Sequence, residues 1–157
     1  MQDKFAALYL ENQLCFPLYA ASRLTTKIYA PYLKALGITY PQYLVLLVLW
    51  QFREQSVNAI GQRLLLESNT LTPLLKRLEQ KALIRRNRSA ADERTVMISL
   101  TGTGEKLREK ALAIPQKIAE SFQDNKHSEA ELRNFQQTLF DLISLLREKT
   151  TPGTDTD

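Results

Sequence analysis

With 157 residues, 44% of them hydrophobic and 24% charged, the chain has material for one domain with its own core. Gly and Pro together number only eleven, which favours a mostly helical fold and argues against disorder. One cysteine and one histidine exclude an internal disulfide, a cysteine- or histidine-based metal site and a catalytic triad, so no metal or cofactor is expected.

Residues 8–36 read as a long helix. Pro17 is its one irregularity, expected to loosen or kink the first turns because it removes a backbone donor. Gly37 is the C-cap candidate. Thr39 or Tyr40 then caps a second helix with Pro41 in its first turn, and the apolar run Gln42–Phe52 makes that helix the expected buried hub, with Trp50 in the core. Ser56 caps a short third helix running to about Leu66. Ser68-Asn69-Thr70 supplies the caps of a fourth, from Thr70 to about Lys81. On it Leu71, Leu74, Leu75 and Leu78 recur at i, i+3, i+4 and i+7, which predicts one apolar stripe. Two short helices joined by a tight turn form a helix-turn-helix pattern.

Leu83–Arg86 and Thr95–Leu100 read as the strands of a hairpin with the charged connection Arg88–Glu93 at its tip, the position of a wing. Thr101–Gly104 opens a long helix to about Asn125. After His127, read as a surface residue, a last amphipathic helix runs from about Ser128 to Lys149, with Leu132, Phe135, Leu139, Leu142, Ile143 and Leu146 along one face. Residues 151–157 are expected to be a disordered tail. The expectation is a single domain over 1–150, mainly α with a small β-hairpin. A winged helix-turn-helix occupies about 40–100, and helices at about 8–36 and 102–149 form a dimerisation region.

The formal net charge is +4, and the window 76–94 alone holds seven basic residues against three acids. Such a local positive zone is the footprint of a polyanion binder, or else a solvated charged face. Its coincidence with the helix-turn-helix and wing favours double-stranded DNA. The candidate contacts are Ser68, Thr70, Thr72, Lys76 and Arg77 on the recognition helix and Arg86, Arg88, Asp92 and Arg94 on the wing. Two such units on a two-fold axis read a pseudo-palindromic operator with half-sites roughly 34 Å apart. The longest apolar run, Tyr43–Trp50, is far too short for a bilayer and no signal-like start is present, so a cytoplasmic protein with no membrane partner is expected.

From the residues alone, Cys15 is either an inert small hydrophobe or a reactive thiol. It lies in the first turns of a helix, where free N–H groups stabilise a thiolate, and Tyr19 stands at i+4 on the same face. Tyr29 and Tyr40 are further phenolic donors. Tyr29 is about 21 Å from Cys15 along a straight helix, so it reaches only the Cys15 of a partner whose helix runs past antiparallel.

Several stretches resemble the MarR family of winged-helix repressors, and within it the organic hydroperoxide sensors of one-cysteine type. The family wing and exit pattern stands as Asp92-Glu93-Arg94 and Leu100-Thr101-Gly102-Thr103-Gly104. The subgroup's motifs stand as Glu11-Asn12-Gln13-Leu14-Cys15-Phe16, Tyr19-Ala20-Ala21-Ser22-Arg23, Ile38-Thr39-Tyr40-Pro41-Gln42-Tyr43 and Leu71-Thr72-Pro73-Leu74-Leu75-Lys76-Arg77-Leu78-Glu79. The resemblance implies a homodimeric repressor, not an enzyme, in which Cys15 is oxidised by an organic hydroperoxide while Tyr29 and Tyr40 of the other subunit, with Tyr19 as a further candidate, attend its thiolate. Oxidation then releases the operator of a peroxide-resistance gene. Some relatives carry a second cysteine that traps the oxidised thiol. None exists here, so a low-molecular-weight thiol is the expected cap, with closure on a backbone nitrogen or over-oxidation as alternatives. Two competing readings are a regulator of the same fold switched by reversible small-ligand binding, with Cys15 incidental, and a one-cysteine thiol peroxidase.

Overall fold

The computed structural model describes residues 3–122 and 128–150. The expected tail, His127 and the expected helix end near Asn125 lie outside the described residues. The chain divides into two compact units, with the boundary between Ile118 and Ala119.

In the first unit, two 3-10 turns (Ala6–Leu8 and Leu10–Asn12) precede α1, Cys15–Ala35. The helix therefore starts at Cys15, not at residue 8. Pro17 explains the difference. It occupies the third helical position, where an N–H would have no intrahelical partner, whereas a helix continuing from residue 8 would need that donor. The proline inside α1 is instead Pro31, on an exposed position. Gly37 closes the helix at φ +69°, with the Ile38 N–H reaching back to the Leu33 carbonyl at 3.0 Å, a turn that glycine adopts without strain.

Helix α2, Tyr40–Phe52, is the hub: Tyr43, Val45, Leu46, Val48, Leu49 and Trp50 are all buried. Its start is fastened by Thr39, whose N–H donates to Gln42 Oε1 at 3.0 Å. Ser56 caps α3, Val57–Leu64, by accepting from the Ala59 N–H at 3.1 Å. Helix α4, Ser68–Gln80, begins two residues earlier than the run of cap residues suggested, with Glu67 at the cap position. Its expected stripe packs inward: Leu71, Leu75 and Leu78 are buried and Leu74 half-buried. Each such burial contributes about 1.5–3 kcal/mol.

The hairpin β2 (Ile84–Arg88) and β3 (Val96–Leu100) is antiparallel, running in register from Ile84 opposite Leu100 to Arg88 opposite Val96. A further two-residue strand, β1 (Gln55–Ser56), pairs with the other edge of β3, so the sheet has three strands in the order β1-β3-β2. Two residues carry no readable alternation, which is why sequence pattern yields only the hairpin.

Thr101 caps α5, Gly102–Ala111, by accepting from the Gly104 N–H at 3.0 Å. The expected continuous helix then breaks at residues 112–113 before α6, Ile114–Phe122. Pro115 accounts for the break, because inside an unbroken helix its ring would collide with the Ala111 carbonyl. Trp50 Nε1 donates to the Gly104 carbonyl at 3.1 Å and joins α2 to α5.

The second unit holds α7, Glu129–Thr150. Ser128 and Glu131 satisfy one another's end groups, the Ser128 N–H donating to Glu131 Oε2 at 2.7 Å. Along the apolar face of α7, Leu132, Leu139 and Leu142 are half-buried and Phe135, Ile143 and Leu146 exposed.

Candidate nucleic-acid interface and sensor site

With Leu71, Leu75 and Leu78 anchoring α4, its opposite face is left to water. Ser68, Thr70, Thr72, Lys76 and Arg77 are all exposed. At 100° per residue, Ser68, Thr72 and Lys76 run along one side of that outward face and Thr70 and Arg77 along the other. Between them lie Asn69 and Gln80, also exposed. Sequence reading passed over Asn69 as a cap residue; the earlier helix start places it in the first turn, on the outward face. Thr72 Oγ1 donates to the Ser68 carbonyl at 2.7 Å, which fixes its rotamer.

The wing tip is built around Asp92. Its carboxylate accepts from the Arg94 N–H at 3.0 Å and from the Thr95 hydroxyl at 2.8 Å, while its carbonyl accepts from the Thr95 N–H at 2.9 Å. The Arg94 N–H, followed by the Thr95 hydroxyl, holds the Asp92 carboxyl below the ordinary aspartate value. Ser89 closes the other side, its N–H donating to the Thr95 carbonyl at 2.8 Å and its hydroxyl accepting from the Ala91 N–H at 3.2 Å. Asp92 thus shapes the turn that presents Arg94. Arg88 and Arg94 are exposed, whereas half-buried Arg86 faces back to α4, 3.9 Å from Glu79 Oε2. Ser89 and Thr95 were not among the sequence-derived candidates, because their part is visible only once the turn is closed.

Cys15 is exposed and is the first residue of α1. Tyr19, one turn on, is also exposed, with the Arg23 guanidinium 5.5 Å from its ring centre. Tyr29 and Tyr40 meet where α1 folds back on α2, ring centres 4.8 Å apart. Tyr43 joins them at 5.9 Å from Tyr29, and Trp50 backs Tyr43 at 6.1 Å. Tyr43 was not singled out as a site residue, although its place at i+3 from Tyr40 and i−7 from Trp50 aligns all three. Burial pushes the phenols of Tyr29, Tyr40 and Tyr43 up from their ordinary values. They therefore keep their protons and remain hydrogen-bond donors at neutral pH. Within one chain α1 runs unbroken from Cys15 through Tyr29, so the two backbone positions stand about 21 Å apart along the helix axis.

Beside Tyr40 opens a cleft of about 420 Å³, with Ala30, Leu33 and Ile38 as well as Thr26, Lys34 and Lys81 in its lining, whose surface is mostly apolar. Among the described residues no three His, Cys, Asp or Glu side chains are grouped to hold a metal. No single described helix is long and apolar enough to cross a membrane; α1 and α2 together are, but they meet at a bend of 74° and α2 is the buried hub.

The family model for the transcriptional regulators SarA/Rot matches residues 27–112. An organic hydroperoxide resistance transcriptional regulator of Bacillus subtilis (strain 168) is 50% identical over 149 residues, covering 95% of this chain and 99% of its own. The solved structure of reduced AbfR bound to DNA superposes with a TM-score of 0.68 at 42% identity, covering 89% of this chain and 99% of that one. Wild-type MarR from E. coli, at 21% identity and a TM-score of 0.66 over 83% of this chain and 96% of its own, is alike in fold alone.

Proposed function

The chain belongs to the MarR family of winged-helix transcription regulators, in its organic hydroperoxide resistance group, and from that premise we propose how its residues do the work. It is a DNA-binding repressor, not an enzyme, that senses organic hydroperoxides through Cys15 and then releases its operator. Reversible ligand binding with Cys15 incidental is the less favoured reading.

On DNA, Thr72, Lys76 and Arg77 meet base edges and phosphates of a major groove, with Ser68 and Thr70 at the entry of the helix. Arg94, presented by Asp92, and Arg88 enter the flanking minor groove. Arg86 acts more weakly there, since its guanidinium is shared with Glu79.

The single observation that carries the sensor is the separation of Cys15 from the Tyr29–Tyr40 pair along one unbroken helix. Each site needs a thiol from one copy and phenols from another, so the working species is a homodimer. The Cys15 thiolate attacks one peroxide oxygen, the O–O bond breaks, and a sulfenic acid forms while the leaving alkoxide takes a proton to become an alcohol. Protonated phenols donate to the thiolate and to the leaving oxygen. The apolar cleft beside Tyr40 favours a hydroperoxide with an organic substituent over hydrogen peroxide. A low-molecular-weight thiol then displaces water from the sulfenic acid to leave a mixed disulfide, whose bulk switches the protein more fully than one added oxygen. Location in the cytoplasm, with the DNA and the small thiols, belongs to the same proposal.

Operator binding titrated with cumene hydroperoxide and with hydrogen peroxide, beside Cys15→Ser, tests this. Wild type is expected to lose binding at the lower dose of the organic peroxide, while Cys15→Ser stays bound throughout. Equal insensitivity of both proteins would overturn it.

A further inference from the structure

The recognition helix is tied by hydrogen bonds to the corner that carries Tyr40. Lys81, the residue that follows α4, sends its ammonium group to the Gly37 carbonyl and to Gln42 Oε1, the latter at 3.4 Å. Gln42 is 2% exposed, the one fully buried polar side chain among the described residues. The same Oε1 also accepts the Thr39 N–H that starts α2. Gly37 carries the positive φ that turns α1 into this corner. Residues 37–42 are therefore braced from within, and Tyr40 lies inside the braced stretch. The far end of the brace is Lys81. Ala82 follows at φ +54°, and the Leu83 N–H returns to the Leu78 carbonyl at 3.0 Å. That close exit ties any shift of Lys81 to the last turn of α4.

Resting on the redox-repressor reading above, we infer that Lys81 is a positioning residue that passes displacement of the Tyr40 corner to the recognition helix. Adding an oxygen or a thiol to the Cys15 sulfur requires more room beside the phenols. The corner shifts as one piece because its internal bonds hold it. Lys81 then pulls the C-terminal end of α4, and this helix of 13 residues, about 20 Å long with Pro73 inside it, swings the outward face of its last turns. Both acceptors are neutral oxygens. The link is consequently a directional tether, which survives screening by salt better than an exposed ion pair.

The test compares Lys81→Met, Lys81→Arg and wild type as full-length proteins, each reduced and then oxidised with cumene hydroperoxide. Sulfenic acid trapped at Cys15 by a diketone probe is read alongside operator affinity. Lys81→Met is expected to reach the same final extent of Cys15 oxidation as wild type, while its reduced-to-oxidised affinity ratio falls about two- to thirty-fold below that of wild type. Lys81→Arg, which keeps a cationic donor, is expected to restore much of the ratio. A plain phosphate contact by Lys81 would weaken both states alike and leave the ratio unchanged; an unchanged ratio overturns the inference. Hydrogen exchange in wild type supplies a check that needs no variant: amides of residues 77–83 should exchange faster after oxidation, and unaltered exchange also counts against it. If oxidised wild type holds its operator as firmly as reduced wild type, the redox reading itself is what has failed.

Discussion

Asp92 shapes the wing turn from which Arg94, a proposed DNA contact, projects. The Asp92 carboxylate accepts from the Arg94 N–H and the Thr95 hydroxyl, its main-chain carbonyl accepts from the Thr95 N–H, and together these bonds set the direction in which Arg94 leaves the wing. Asp92→Ala is expected to leave thermal unfolding at neutral pH unaltered, because the turn is exposed and far from the core. Operator binding should weaken to nearly the level of Arg94→Ala, and the double variant should be little worse than either single one. Strictly additive losses, read by fluorescence anisotropy, would mean that Asp92 makes a contact of its own. The lowered carboxyl value adds a pH sign: the turn is favoured above the ordinary aspartate range and is lost as pH falls through the depressed value.

Among the elements, the sharpest constraint lies where α5 meets the base of the hairpin. A Cβ on Gly104 would sit 2.1 Å from the Leu83 carbonyl oxygen and 3.1 Å from Leu100 Cδ2. Gly104 also accepts the buried Trp50 indole and donates to its capping Thr101, so the backbone has little freedom to retreat. Gly104→Ala should therefore cost about 3 kcal/mol in denaturant unfolding, at the upper end for overpacking. A loss below about 1 kcal/mol would show that α5 can slide. The glycine was legible in the sequence as part of the helix-opening run Thr101–Gly104. The reason for it was not, since Leu83 approaches from twenty-one residues away.

At the scale of the whole molecule, the proposed division of the sensor between two copies makes a prediction that a single-chain sensor cannot imitate. Cys15→Ser and a Tyr29→Phe/Tyr40→Phe variant should each respond poorly alone, the second oxidised about tenfold more slowly after losing a charged hydrogen bond of ~1.5 kcal/mol. Mixed and allowed to exchange subunits, they form a dimer with one complete site, pairing an intact Cys15 with intact phenols. Recovery of rapid oxidation in the mixture, followed by sulfenic acid trapping, is the expected outcome. No recovery, with subunit exchange verified, would place both halves of the site in one chain. Phe135, Ile143 and Leu146, exposed on α7, are apolar surface that the proposed dimer would cover.

By itself the sequence determined the hub helix, the recognition stripe, the wing hairpin and the residues facing outward from them. These follow from periodicity, caps and charge, which are local properties. It also carried Cys15 and Tyr40 in recognisable motifs, and Tyr29 as a phenol fourteen residues along the helix from Cys15. Tertiary structure alone decided the third strand, the inward role of Arg86 and the shaping role of Asp92. It likewise brought Tyr43 to the phenol pair and Lys81 to the corner at Gly37 and Gln42. Each of these depends on groups distant in sequence or on a backbone turn closing in three dimensions. A pattern of residue types records which side of a helix is apolar, but not which carbonyl will lie within reach of a lysine forty-four residues away.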